Sequence, residues 1–520
     1  MKLLKAMATI ASFTMISRIA GMVRDMLSAS ILGAGPLADA FFMALKFPNF
    51  FRRIAGEGAL SVSFIPLYSR TIEEEGKEEG AKFAGQVFSI IGLILSVFCV
   101  LVMILMPWVI QMIAPGFEYG TERYNLAVTL TTMTFPYLFF MSLTALLGAI
   151  LNAHGQFAPF AGAPIIFNLI LIFCVLVLAD IFPTAAHAMA FGVTISGILQ
   201  LIMMIYFIRR TRILFHFQRP IWPIWDEKSK KLFKLMGPGI LSAGVFQINL
   251  FVDMILASLL PAGAISYLYY ADRLNQLPLG IVGVAVGTAL LPMLSRSITS
   301  QNLEEGANLF NRSLEFSFFA AVPASVALFM IPYEMVTTLF GHGKFSMQDV
   351  LQTSYVLMGY GIGLPAYIGS KVFMTVFWAH QDTMTPVKVV IITALSNVML
   401  SLLLIGLFGV VGIAFSTGIV GWIQFCLLRH RLKLKKNIEF DARLQRVIPK
   451  IILCSCFMGI VLSILSYELT SYFQQALPVK ILALLALLGG GAITYAVAVQ
   501  LTGVLKISDI QTYMTRSTKG

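Results

Sequence analysis

Arg18 and Arg24 stand six positions apart in Ser17-Arg-Ile-Ala-Gly-Met-Val-Arg-Asp25, and Lys46, Arg52 and Arg53 follow in the next apolar stretch. A basic side chain at mid-bilayer costs at least about 2.5–3.5 kcal/mol on insertion scales, so such a cluster needs a counter-charge. Asp25, Asp39 and Glu57 are the acids at hand. They allow single ion pairs, such as Arg24 with Asp39 or Arg52 with Glu57, but the bases outnumber them. The surplus predicts an anionic ligand. Guanidinium forks grip phosphate oxygens bidentately and stay charged on burial, so a phosphate or diphosphate fits these residues best. Six positions on an ideal helix turn through about 240°, so Arg18 and Arg24 share a face only if the helix bends or unwinds. Gly21 lies between them.

Farther along the chain, Asp272-Arg273 sets one acid and one base inside an apolar segment, and Lys371 adds another base. Arg273 is expected to face the first cluster across a cavity. Asp253 is a candidate for cation coupling, through Na+ or H+. Asp382 is a second candidate, although its place before Thr383-Met-Thr-Pro386 also suits a helix cap. No metal cluster is expected beyond that Na+ at Asp253, and no cofactor. Neither a Walker A loop, an HExxH helix nor a GxSxG elbow is present, so the sequence lends no support to ATP-driven transport in cis or to common hydrolase chemistry.

These residues must be positioned by membrane helices. The 520 residues are 58% hydrophobic and 12% charged, with a mean hydropathy of +0.84. Soluble chains carry roughly 25% charged residues, so an ordinary globular enzyme is excluded. Apolar runs of about 20 residues recur, each able to cross roughly 30 Å of hydrocarbon. They predict an all-α polytopic protein of about fourteen spans: 6–32, 37–66, 83–112, 124–152, 157–180, 186–208, 232–260, 265–295, 309–332, 349–378, 386–406, 409–428, 447–472 and 478–504.

The net charge of +12 does not indicate nucleic acid. Most Lys and Arg fall in loops on one side of this topology, whereas Arg123, Lys344 and Lys480 fall on the other. That bias predicts a multi-pass inner-membrane protein with both termini cytoplasmic. Two basic segments, 209–231 (with Trp222 and Trp225) and 429–446, read as interfacial linkers on anionic phospholipid. The five cysteines lie in apolar segments and read as core residues.

The series repeats internally. Phe64-Ile-Pro-Leu-Tyr-Ser-Arg70 returns as Leu290-Leu-Pro-Met-Leu-Ser-Arg296, and Ala153-His154 returns as Ala379-His380, an offset of roughly 226 residues. Six spans recurring as six predict parallel repeats related by an axis along the membrane normal, a transporter pattern with its site between the halves. The expected organisation is an N-lobe (1–208), the first linker, a C-lobe (232–428), the second linker, an appended pair (447–505) and a tail (506–520).

At this level the motifs resemble the MurJ/MviN family of lipid II flippases. The resemblance rests on 17–25, Gly33-Ala-Gly35, Ala38-Asp-Ala-Phe-Phe42, Phe47-Pro-Asn49, Phe51-Arg-Arg53, Glu57-Gly-Ala59, Ala114-Pro-Gly-Phe117, Phe135-Pro-Tyr137, Gly148-Ala-Ile-Leu-Asn152, Tyr269-Tyr-Ala-Asp-Arg-Leu274 and Thr385-Pro-Val-Lys388. It covers nearly the whole chain. It implies the multidrug/oligosaccharidyl-lipid/polysaccharide exporter superfold, with the last two helices forming a groove for a polyprenyl tail. It also implies cavity charges on Arg18, Arg24, Asp39, Arg52 and Arg273, with Ser17, Asp25, Lys46, Arg53, Glu57 and Asp272 in support. The implied activity is non-enzymatic: movement of undecaprenyl-diphosphate-linked disaccharide-pentapeptide to the periplasmic leaflet for peptidoglycan synthesis. Membrane potential, Na+ or H+ would supply coupling, and cell-wall synthesis proteins are expected partners. The alternatives are a flippase for another undecaprenyl-diphosphate glycan, or a membrane enzyme acting on lipid-linked sugar.

Overall fold

The structure is a computed structural model that describes residues 2–54, 60–216, 227–299, 302–436 and 438–504. Glu57, Trp222, Trp225 and the 505–520 tail lie outside the described residues. Those described are helical, with turns between helices and no strand.

Two compact units emerge, residues 1–266 with 343–345 and residues 267–342 with 346–520. The first contains α1 (Lys2–Leu32), α2 (Pro36–Arg52), α3 (Ser61–Glu75), α4 (Lys77–Ile104), α5 (Met106–Ile113), α6 (Glu122–Thr134), α7 (Tyr137–Ala153), α8 (Ala158–Val177), α9 (Ala185–Arg210) and α10 (Glu227–Ser258). The chain enters the second unit along α11 (Ala264–Thr299). There follow α12 (Leu303–Met330), α13 (Pro332–Leu339), α14 (Met347–Ala379), α15 (Met384–Phe408), α16 (Val410–Lys436), α17 (Ala442–Leu469) and α18 (Leu477–Thr502).

Among the described residues, ten spans are long and apolar enough to cross a bilayer: 77–104, 122–153, 158–177, 185–210, 304–330, 347–379, 384–408, 410–435, 442–474 and 477–502. The expected spans outside this set are those around α1, α2, α10 and α11, which carry Arg18, Arg24, Lys46, Arg52, Asp253 and Arg273. α1, α10 and α11, at 31, 32 and 36 residues, are each long enough to exceed the bilayer core at 1.5 Å per residue.

Two expected helices are interrupted. The 37–66 segment leaves α-geometry after Arg52, where residues 53–54 make a wider π-helical turn. The 124–152 segment divides at Phe135-Pro136, since proline has no N–H to continue the ladder. Conversely, α16 runs beyond the expected end at 428 to Lys436, so much of the second basic linker is helix.

The repeat is visible in the helix limits. α5 at 106–113 recurs as α13 at 332–339, α4 at 77–104 as α12 at 303–330, and α1 at 2–32 as α10 at 227–258. The helix ends match as well: Gln156 donates its N–H to the Leu151 carbonyl at 2.9 Å, and Asp382 donates to Phe377 at 2.9 Å. In each unit one span is deeply enclosed, 122–153 in the first and 347–379 in the second.

Packing in the first unit centres on α7, which lies against α9 and α4, with α1 on α8 and α2 on α6. Phe64 stacks on Tyr68 and on Phe83 at 5.2 and 5.7 Å, and Leu232 and Met236 of α10 join that core. In the second unit α14 lies between α12 and α16. A Cβ on Gly418 would stand 2.5 Å from the Gly359 carbonyl oxygen, so glycine permits this backbone approach. α17 and α18 pack on each other and α17 on α12. They leave Leu453, Ile464, Leu482 and Ile493 exposed, as a lipid-facing surface would.

Candidate functional site

α1 is unbroken through Gly21, so Arg18 and Arg24 point in different directions. Arg24 is buried against α8. Its Nε and Nη2 donate to Asp25 Oδ1 at 3.0 and 2.6 Å, and its Nη1 donates to Asn168 Oδ1 at 2.9 Å. Asn168 in turn donates to the Ser17 carbonyl at 3.0 Å. The Phe167 ring lies 5.6 Å from the Arg24 guanidinium carbon. Ser17, Arg24 and Asp25 therefore form one network organised by Asn168, which sequence reasoning did not single out as a site residue. A buried pair of this kind resists loss of either member, because the survivor is left as an uncompensated charge.

Arg18 is half-buried on the same helix and makes no side-chain hydrogen bond or ion pair among the described residues. It is an uncommitted cation in an otherwise apolar segment.

Asp39 does not pair with Arg24. Its fully buried carboxylate accepts Arg123 Nη2 at 2.7 Å, the Gly263 N–H at 2.7 Å, the Ser266 N–H at 2.8 Å and the Ser266 hydroxyl at 2.7 Å. Arg123 lies over Phe117 at 4.0 Å and also donates to the Leu260 carbonyl at 3.2 Å. The start of α2 is thus tied to the start of α6 and to the α10–α11 turn. Beside it, Lys344 donates its N–H to the Ser30 carbonyl at 2.7 Å. The sequence expectation of an Arg24–Asp39 pair fails because Asp25 is nearer to Arg24 and Arg123 reaches Asp39. Arg123 was legible only as a base on the less basic side of the topology.

Arg52 ends α2 and donates Nε to Asn49 Oδ1 at 2.9 Å. Lys46 is half-buried on the same helix, and Arg53 is exposed, with Nη1 3.5 Å from Gln247 Oε1. Glu57, the expected partner of Arg52, lies outside the described residues. Asp253 is buried in α10, two residues after Phe251, whose ring packs on Phe50 at 4.8 Å.

In the second unit Arg273 lies 4.6 Å over Tyr269, and Asp272 accepts from Gln276. Asp382 accepts the Thr385 N–H at 3.0 Å and its hydroxyl at 2.7 Å, which is a first-turn helix cap. Partial burial opposes its charge, yet these bonds and Lys435 at 3.1 Å hold its carboxyl at about 2. No His/Cys/Asp/Glu cluster able to hold a metal occurs among the described residues.

The helix order and lobed packing define a class: the chain has the fold of the MOP superfamily. An inward-facing multidrug resistance MATE transporter of that superfamily matches with a TM-score of 0.68 at 15% identity, over 83% of this chain and 99% of the transporter. A structure described as lipid II flippase MurJ in an inward closed conformation matches with a TM-score of 0.79 at 28% identity, over 95% of this chain and 98% of that one.

Residues 28–485 match the family model for lipid II flippase MurJ, and the chain belongs to that family. Curated relatives include probable lipid II flippases MurJ from Rhizobium meliloti (strain 1021), 36% identical over 97% of this chain and 95% of the relative, and from Rickettsia prowazekii (strain Madrid E), 34% identical over 92% and 94%.

Proposed function

We propose that this multi-pass membrane protein flips lipid II between leaflets, as a transporter and not an enzyme. Family membership across residues 28–485 carries the reading. The surplus base supports it, with Arg18 uncommitted in α1 and Arg24 held in place by Asp25 and Asn168. In this reading Arg24 and Arg52 capture the diphosphate, Arg18 joins them in a state in which α1 bends at Gly21, and the polyprenyl tail stays along α17 and α18. Arg273 is the candidate of the second unit.

The transport cycle is alternating access. A ligand shifts such an equilibrium only by its differential affinity for the two states, so diphosphate must bind one state more tightly. The Asp39–Arg123 tie belongs to one of those states and opens in the other. Membrane potential, or Na+ or H+ at Asp253, resets the empty carrier. The two basic linkers rest on anionic phospholipid at the cytoplasmic face.

The test is movement of lipid II in liposomes carrying the full-length protein, with and without sodium and an imposed potential. Replacing Arg18, Arg24, Arg52 or Arg273 by Ala is expected to abolish movement. Unchanged movement in all four variants would remove the diphosphate reading.

A further inference from the structure

The elbow between α16 and α17 carries more base than acid, and its residues 439–441 are held by contacts to α12 and α14. Phe440 packs with Phe310 at 6.3 Å and Phe373 at 6.4 Å. Asn311 of α12 donates to the Glu439 carbonyl at 3.2 Å and accepts the Asp441 N–H at 3.1 Å. Asp441 caps α17 through the Leu444 N–H at 2.6 Å and pairs with Arg312.

The acids here are each engaged. Glu439 pairs with Lys433 at 3.0 Å, Asp382 with Lys435 at 3.1 Å, and Glu315 with Arg443 at 3.0 Å. Arg429, Arg431 and Arg446 are exposed and make no ion pair among the described residues. Arg429 lies 4.2 Å over the Phe440 ring, one turn before Lys433, and both line a cleft floored by Phe373, Ile438 and Phe440.

A guanidinium flat on an aromatic face keeps its N–H groups directed outward in its own plane, pre-set to fork an oxyanion. Like charges at i and i+4 repel, and the single Glu439 carboxylate faces both bases. A phosphate group would resolve that imbalance. The location selects its source: the elbow joins 410–435 to 442–474, both membrane-crossing by length and composition, and therefore lies where headgroups are. Leu434, 66% exposed, offers acyl chains an apolar neighbour.

We infer that this cleft binds the phosphate headgroup of an anionic membrane phospholipid, gripped by Arg429 and Lys433. The inference deepens the proposed resting of the basic linkers on anionic lipid, and it depends on that reading.

The test is native mass spectrometry of the full-length protein, delipidated in neutral detergent and given phosphatidylglycerol or phosphatidylcholine. No lipid II is present, so the result is independent of flipping. Wild type is expected to retain phosphatidylglycerol selectively. Each basic residue near a membrane is worth a factor of about five, so R429A/K433A should lower retention roughly tenfold or more. R209A/R210A, in the other linker, should leave this adduct unchanged. R429Q/K433Q is read if the alanine variant fails to fold. Undiminished selectivity in the double variant overturns this site alone, whereas equal retention of phosphatidylcholine by wild type overturns the general reading as well. Displacement of the adduct by millimolar inorganic phosphate would assign the cleft to free phosphate and overturn the lipid assignment.

Discussion

Asp39 and Arg123 meet at 2.7 Å although 84 positions separate them in the chain, and they form an enclosed ion pair of the first unit, with side-chain exposures of 0% and 14%. Around it Asp39 accepts two N–H groups and a hydroxyl from the α10–α11 turn and the start of α11. Removing one partner of a buried pair typically costs about 3–5 kcal/mol, because the other charge remains without compensation. R123A and D39N are each expected to lower thermal stability in detergent, and R123A/D39N to lower it by less than the sum. Strict additivity would show that the two residues are not coupled.

Arg18 and Arg24 should separate function from stability. R24A leaves Asp25 buried beside Asn168, so both lipid II movement and melting temperature should fall. R18A removes a cation with no partner among the described residues, so its stability should hold within about 0.5 kcal/mol of wild type while movement is lost. A large stability loss in R18A would mean that Arg18 serves the fold.

Gly116 sits against the end of α10, where an added Cβ would stand 2.1 Å from the Ser258 carbonyl oxygen. G116A must displace backbone and is expected to destabilise by roughly 1–3 kcal/mol, the usual cost of overpacking. G120A places its Cβ in open space but must adopt a φ of +81°, so its smaller loss reports backbone strain alone. Equal melting temperatures for G116A and wild type would show that this contact is not maintained.

Asp382 should give the cap of α15 a defined acid limit. Its carboxyl is held at about 2, below the ordinary 3.8, by Thr385 and Lys435 against the effect of burial. A depressed carboxyl stabilises the fold above its unfolded value, and that contribution is lost as pH falls from about 4 through 2. D382N is therefore expected to melt below wild type at pH 7 and to converge with it near pH 2. A gap that persists unchanged into that range would assign the effect to shape and not charge.

Much of the fold was legible because it rests on local signals. Apolar runs identified ten spans that satisfy length and hydropathy, and the 226-residue offset returned in the limits of α5 and α13. Legibility failed where a chemical detail interrupts a run. Pro136 divides α6 from α7, and the turn after Arg52 departs from the helix that hydropathy extends to residue 66.

The candidate site was legible in its residue types but not in its pairings. Sequence by itself determined a membrane-embedded, internally repeated chain with more base than acid in its first two segments, because hydropathy, period and charge are properties of neighbouring residues. It also set Arg18 and Arg24 about 240° apart, which the unbroken α1 retains. Tertiary structure alone decided that Arg24 takes Asp25 and Asn168, that Asp39 takes Arg123, and that Arg18 takes neither. Buried charges pair by distance and desolvation, and those are set only when α8 closes on α1 and α6 on α2.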